Sequence, residues 1–144
     1  MNRRYTTEDF RAICKILRAA YKDVIFTTDI IVGFPGETEE EFNQTYEFLK
    51  EIKMYKMHIF KYSPKRGTAA TKFKNQIDSK IKDERSKILL ELSDKNETEY
   101  NETYINKTVT VLFEEAENGY FKGHTGNYLA VKVKTDKDLT DKLL

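Results

Sequence analysis

The segment Val24-Ile25-Phe26-Thr27-Thr28-Asp29-Ile30-Ile31-Val32-Gly33 constrains this chain more than any other. It is rich in β-branched and aromatic residues and almost continuously apolar, the pattern of a strand covered on both faces in a parallel sheet. Gly33-Phe34-Pro35-Gly36 breaks it. A helix is expected at once, with Thr38 as N-cap and Glu41 as its capping-box partner, and with Phe42, Tyr46, Leu49 and Ile52 on its inner face. A second strand follows over Lys56–Tyr62 and ends in Ser63-Pro64-Lys65-Arg66-Gly67-Thr68. Strand, helix and strand in this order predict a right-handed βαβ unit.

A helix capped by Thr6 or Thr7, with Asp9 as box partner, precedes this unit. Its apolar stripe is Phe10, Ile13, Cys14, Leu17 and Tyr21. A long helix is expected from about Asp78 to about Tyr104, with Ile81, Ile88, Leu89 and Leu92 as its stripe. The pattern then changes. Thr108–Phe113, Tyr120–His124 and Tyr128–Val133 read as short strands. Glu114–Asn118 and Gly126-Asn127 read as the turns between them, with Asn118-Gly119 a strong turn pair. A small antiparallel barrel is the expectation. The fold class is therefore α/β, a partial (β/α) barrel with parallel strands over 1–103, then a partial antiparallel β-barrel over 104–144. Two strands cannot close a parallel barrel, so the sheet edges are expected to be open, inviting a larger enzyme or a homodimer.

The 144 residues suffice for one ordinary domain or two small ones. Charged residues make up 34%, yet the net charge is only +1, so any nucleic-acid binding must come from local clusters. The one cysteine, Cys14, and two histidines, His58 and His124, are too few for a zinc site or an iron–sulfur cluster. A lone cysteine also fits a reducing, cytoplasmic setting. No apolar run approaches the ~20 residues needed to span a bilayer, and Met-Asn-Arg-Arg-Tyr at the start is unlike a signal peptide.

The two loops after the strands are the candidate site. Ligands of α/β folds bind at the carboxyl ends of the strands. Glycines at Gly33 and Gly36 allow close approach, and the helix start offers free N–H groups. Lys65 and Arg66 could grip a carboxylate or phosphate. Asp29 interrupts an apolar strand and needs a hydrogen-bond partner, a cation or a ligand if it is buried. His58 reads as a hydrogen-bonded strand histidine. In the later strands, Tyr120, Phe121, Lys122, His124, Asn127 and Tyr128 put aromatics beside cations, which suits single-stranded RNA as well as it suits a small core.

The strings themselves carry a resemblance. Thr28–Thr38 resembles the fifth-strand signature of the radical-SAM methylthiotransferase family, and Tyr62–Thr68 its sixth-strand motif, with Lys65 where the family has arginine and Arg66 following. Met1–Tyr5 resembles the segment after the fourth strand, and Gly123–Tyr128 a loop of the TRAM RNA-binding domain. The resemblance implies S-adenosylmethionine and two 4Fe-4S clusters as cofactors, tRNA as partner, and methylthiolation of C2 of an adenosine. Met57–Phe60 and Phe121–Thr125 resemble the branch acting on N6-threonylcarbamoyladenosine at position 37; the isopentenyladenosine branch is the alternative, as is a standalone RNA-binding module. Cofactor contacts are implied at Asp29, Ile31, Gly33, Tyr62, Ser63, Lys65 and Arg66, and RNA contacts at Lys122, His124, Asn127 and Tyr128. The family's three-cysteine motif is not in this sequence, so no catalytic residue and no metal ligand is expected here. The chain is expected to be a truncated piece, inactive alone.

Overall fold

A computed structural model describes residues 4–144, which fall into two compact units divided between Tyr100 and Asn101. The opening Met1–Tyr5 resemblance lies largely outside the described residues.

The first unit runs α1 (Thr7–Ala20), β1 (Thr27–Val32), α2 (Glu39–Ile52), β2 (Lys56–Lys61) and α3 (Ser79–Glu102), with a short 3-10 turn at Ala69–Lys72. Both expected capping boxes are present. Thr6 and Asp9 cap α1 reciprocally, and the backbone bond to Thr6 holds the Asp9 carboxyl below its ordinary range. Thr38 and Glu41 cap α2 in the same way, at 2.8 and 3.1 Å. The two strands pair in parallel, with Asp29 opposite His58 and Ile31 opposite Phe60.

The core gathers Cys14, Val32, Phe42, Leu49, Ile52, Met54, Met57, Leu89 and Leu92. Burial in this apolar cluster pushes the Cys14 thiol above its ordinary pKa, with Arg18 opposing weakly. Only part of the α1 stripe is used: Phe10, Cys14 and Leu17 turn inward while Ile13 and Tyr21 stay exposed.

Two expectations for this unit are corrected. β1 is covered on one face only: Val32 is buried and Thr28 and Ile30 are half-buried, whereas Thr27, Asp29 and Ile31 are exposed. The apolar run had suggested burial on both sides. The inner stripe of α3 keeps Leu89 and Leu92 but not Ile81 and Ile88. Ile81 and Ile88 are each 41% exposed, and the buried positions are Arg85, Ser86, Leu89, Leu92, Ser93 and Asn96. Ser93 and Asn96 among them have backbone partners. Ser93 Oγ accepts from Met57 N–H, and Asn96 Nδ2 donates to the Met54 carbonyl, both at 3.0 Å. They satisfy backbone groups beside β2 that would otherwise be buried unpaired.

The second unit is an antiparallel sheet in the order β3 (Val111–Glu117), β4 (Tyr120–Thr125), β5 (Ala130–Lys134). The segment Glu114–Glu117, expected as a turn, continues β3 across a bulge between Phe113 and Glu115. The turn is confined to Asn118-Gly119, with φ of +54° and +75°, the two-residue hairpin geometry this pair favours. Val111, Phe113 and Phe121 form the small core. The chain's last residues pair along the other side of β3, through Leu144 with Val111 and Lys142 and Asp141 with Phe113.

Candidate functional site

The loops at the carboxyl ends of β1 and β2 meet. The Tyr62 N–H donates to the Val32 carbonyl at 2.8 Å, and the Phe34 ring packs edge-on against the Tyr62 ring at 5.3 Å. In the first loop, the Glu37 N–H closes on the Phe34 carbonyl at 2.9 Å with Pro35 and Gly36 between them. Proline followed by a residue at φ +90° is the arrangement of a type II turn. Gly36 N–H is anchored to the Asn75 carbonyl. Gly33 has φ +69°, and a Cβ there would lie 2.4 Å from Lys82 Cγ, so both conformation and space demand glycine. Glu37 folds back, its carboxylate accepting from Gly33 N–H at 3.1 Å and from Arg85 Nη1 at 2.5 Å.

The expected cofactor residues divide into two groups. Asp29 and Ile31 stand on the exposed face of the parallel sheet beside His58 and Phe60, which corrects the expectations of a buried carboxylate and a hydrogen-bonded histidine. The strand has no layer over that face, so neither side chain is withdrawn from water. Ile31, Phe34, Pro35 and Gly36 line an open groove of ≈ 500 Å³, with Thr7 and Phe48 on its far side. Gly33 is buried and Tyr62 half-buried. Ser63, Lys65 and Arg66 are exposed on a loop closed by Thr68, whose N–H and hydroxyl both donate to the Lys65 carbonyl. Among the described residues, the Tyr62 hydroxyl is a buried side-chain polar atom with no partner.

Of the expected RNA residues, three are engaged within the fold. Asn127 accepts from the Thr125 hydroxyl and donates to the Tyr104 hydroxyl at 2.8 Å, bracing the β4–β5 turn. Lys122 pairs with Glu117 at 2.5 Å; this bond raises the lysine pKa and lowers that of the carboxyl. His124 Nδ1 lies 2.9 Å from Glu114, and its ring is 6.0 Å from Tyr128, which is 75% exposed at φ +64°. The register places Tyr120, Lys122, His124, Lys132 and Lys134 on one face, since side chains alternate along strands and paired residues share a side. Lys132 and Lys134 sit 4.3 and 5.8 Å from the Tyr120 ring centroid. Sequence reading missed these two lysines, although their period of two along an alternating strand was the available signal.

Residues 1–49 match the model of the radical SAM superfamily. Over its full length the chain is 41% identical to a threonylcarbamoyladenosine tRNA methylthiotransferase of Bacillus subtilis, covering 33% of that protein. It is 47% identical, over 92% of its length, to a probable threonylcarbamoyladenosine tRNA methylthiotransferase of Methanocaldococcus jannaschii, covering 30% of it. A tRNA-2-methylthio-N(6)-dimethylallyladenosine synthase of Alkaliphilus oremlandii is 40% identical over the whole chain, which covers 31% of that protein. The chain is thus similar, along most or all of its length, to these tRNA methylthiotransferases. It spans about a third of the length of these curated relatives.

The family's cofactors meet this chain unequally. Among the described residues no group of three or more His, Cys, Asp or Glu side chains could hold a metal ion, and the single thiol, Cys14, is buried in the core. The residues present therefore do not fit an iron–sulfur cluster. They do fit a nucleoside. Exposed Ile31 and Phe60 offer apolar surface to a flat base, and Asp29 a carboxylate for ribose hydroxyls. No helix among the described residues is long and apolar enough to cross a membrane.

Proposed function

We propose that this chain supplies the later part of the radical-SAM barrel, in 1–103, and the start of a TRAM domain, in 104–144, of an enzyme that methylthiolates C2 of N6-threonylcarbamoyladenosine at position 37 of tRNA. The carrying observation is 41% identity over the entire chain to a relative named for that substrate. The 47% identity to a second such relative supports the same branch. Isopentenyladenosine is the second reading, favoured by the 40% match to a dimethylallyladenosine synthase. A tRNA substrate puts the enzyme in the cytoplasm.

Within this reading, S-adenosylmethionine and 4Fe-4S clusters supply radical and sulfur chemistry, the clusters being held by residues outside this chain. The chain's own part is to bind and orient. Ile31 and Gly33 receive the adenosine, with Asp29 beside it. Tyr62 and the Ser63–Arg66 loop close over that end. Tyr128, His124 and the Tyr120 ring with Lys132 and Lys134 form the RNA face, stacking bases and meeting phosphates.

Nucleoside mass spectrometry on tRNA from a strain lacking the gene tests the substrate. Loss of the methylthio group from threonylcarbamoyladenosine alone is the expected result. Loss from isopentenyladenosine instead moves the enzyme to the other branch, and survival of both overturns the reading.

A further inference from the structure

The polar groups at the amino-terminal end of α3 are oddly placed for a helix. Its first turn holds Lys80 and Lys82 and no acidic residue, and Arg85 follows in the next turn. Cations at a helix amino terminus oppose the macrodipole. Two of them are turned inward. Lys82 Nζ donates to the Tyr62 carbonyl at 3.1 Å and lies 5.6 Å from the Tyr62 ring centroid, while its stem lies across Gly33. Arg85 Nη1 donates to both the carbonyl and the carboxylate of Glu37, and its guanidinium lies 5.2 Å from the Phe42 ring centroid. Residues three apart share a helix face. One face of α3 thus grips both loops, with the Glu37 carboxylate relaying the hold to the Gly33 N–H.

We propose that Arg85 and Lys82 are positioning residues, which hold the Gly33–Glu37 turn and the Tyr62 backbone in the geometry that receives an adenosine ligand. This rests on the reading of those loops as the S-adenosylmethionine site. Neither cation points at the ligand; each acts through the loop it holds. The buried pair leaves the carboxylate no solvent to turn to, so its loop has one stable position. Both bonds leave one nitrogen, Nη1, which stands one bond further along its side chain than a lysine ammonium would.

The test measures 5′-deoxyadenosine formation against S-adenosylmethionine concentration in the reconstituted methylthiotransferase that carries this chain. Arg85→Met is expected to raise KM about 10- to 100-fold with kcat largely kept, the range seen when a remote change displaces a binding group by about an ångström. Arg85→Lys is expected to fall between, and Lys82→Met to raise KM several-fold. Should Arg85→Met not fold, Lys82→Met, which removes one exposed-end contact, decides the matter. A KM within about twofold of wild type in a folded Lys82→Met or Arg85→Met protein overturns the proposal alone. A wild-type enzyme that forms no 5′-deoxyadenosine overturns the functional reading and the proposal with it.

Discussion

The two units of this chain use charge in opposite ways. In the first, Arg85 and Glu37 are 2.5 Å apart, with side chains only 9% and 18% exposed. In the second, Lys122 and Glu117 are just as close, and His124 and Glu114 nearly so, yet their side chains are 39% to 60% exposed. Separation alone would rank these pairs as equals. Solvent does not: water screens the outer pairs, while the inner pair has lost its hydration and has only its partners in exchange. The inner pair fixes a loop; the outer pairs decorate a surface and remain free to exchange partners with a phosphate.

Substitutions can break or sharpen that contrast. The largest expected effect is not electrostatic. Leu89 is fully buried, so Leu89→Ala should cost about 2–5 kcal/mol in denaturant unfolding. A smaller loss would mean that the first unit does not depend on its apolar core. Next, Arg85→Met strands the Glu37 carboxylate and should cost about 2–4 kcal/mol, by analogy with broken buried pairs. If it costs nothing, the buried pair is no different from the exposed ones. Asn96→Ala leaves the Met54 carbonyl without its donor and should cost about 1–3 kcal/mol.

At the small end, Lys122→Ala should lower the thermal midpoint at neutral pH only slightly, as expected of an exposed pair. The difference from wild type should close in acid. The Lys122 bond holds the Glu117 carboxyl below its ordinary value, so the pair's contribution is present above that value and disappears as pH falls through the depressed one. A midpoint-versus-pH profile should therefore be shallower on the acid side in the variant. Identical acid slopes would show the pair to be idle. The sign for Cys14 is the reverse: its raised pKa favours the folded state at low pH, an advantage that fades as pH climbs through the thiol range.

What could be read in the sequence follows from how local each signal is. The capping boxes at Thr6–Asp9 and Thr38–Glu41, the break of β1 at Gly33–Gly36 and the Asn118-Gly119 turn depend on residues within three positions, and all are found as expected. The coverage of β1 was misread because a run such as Ile30-Ile31-Val32 does not say how many layers lie against it. The α3 stripe was misread at Ile81 and Ile88 because Arg85, Ser93 and Asn96 take inner positions, each meeting a backbone group on the first loop or at the start of β2 that no hydropathy pattern announces. The candidate site shows the same division. Its glycines and strand ends were legible, whereas Lys82 and Arg85 serve it from a helix some fifty residues downstream of Gly33. On the small sheet, Asn127 was misjudged as available because its turn-bracing role needs Tyr104, far away in sequence.

The polar inner face of α3 has a consequence for how the helix can drift. A purely greasy face can slide or roll against a sheet and trade one methyl contact for another at little cost. Here Lys82, Arg85, Ser93 and Asn96 each meet a named backbone atom, spread over some four turns. Shifting the helix by one residue would strand all four contacts together. The helix is thus keyed like a lock with four pins: Ile81 and Ile88 on its outer side can vary widely, while its seating has one solution.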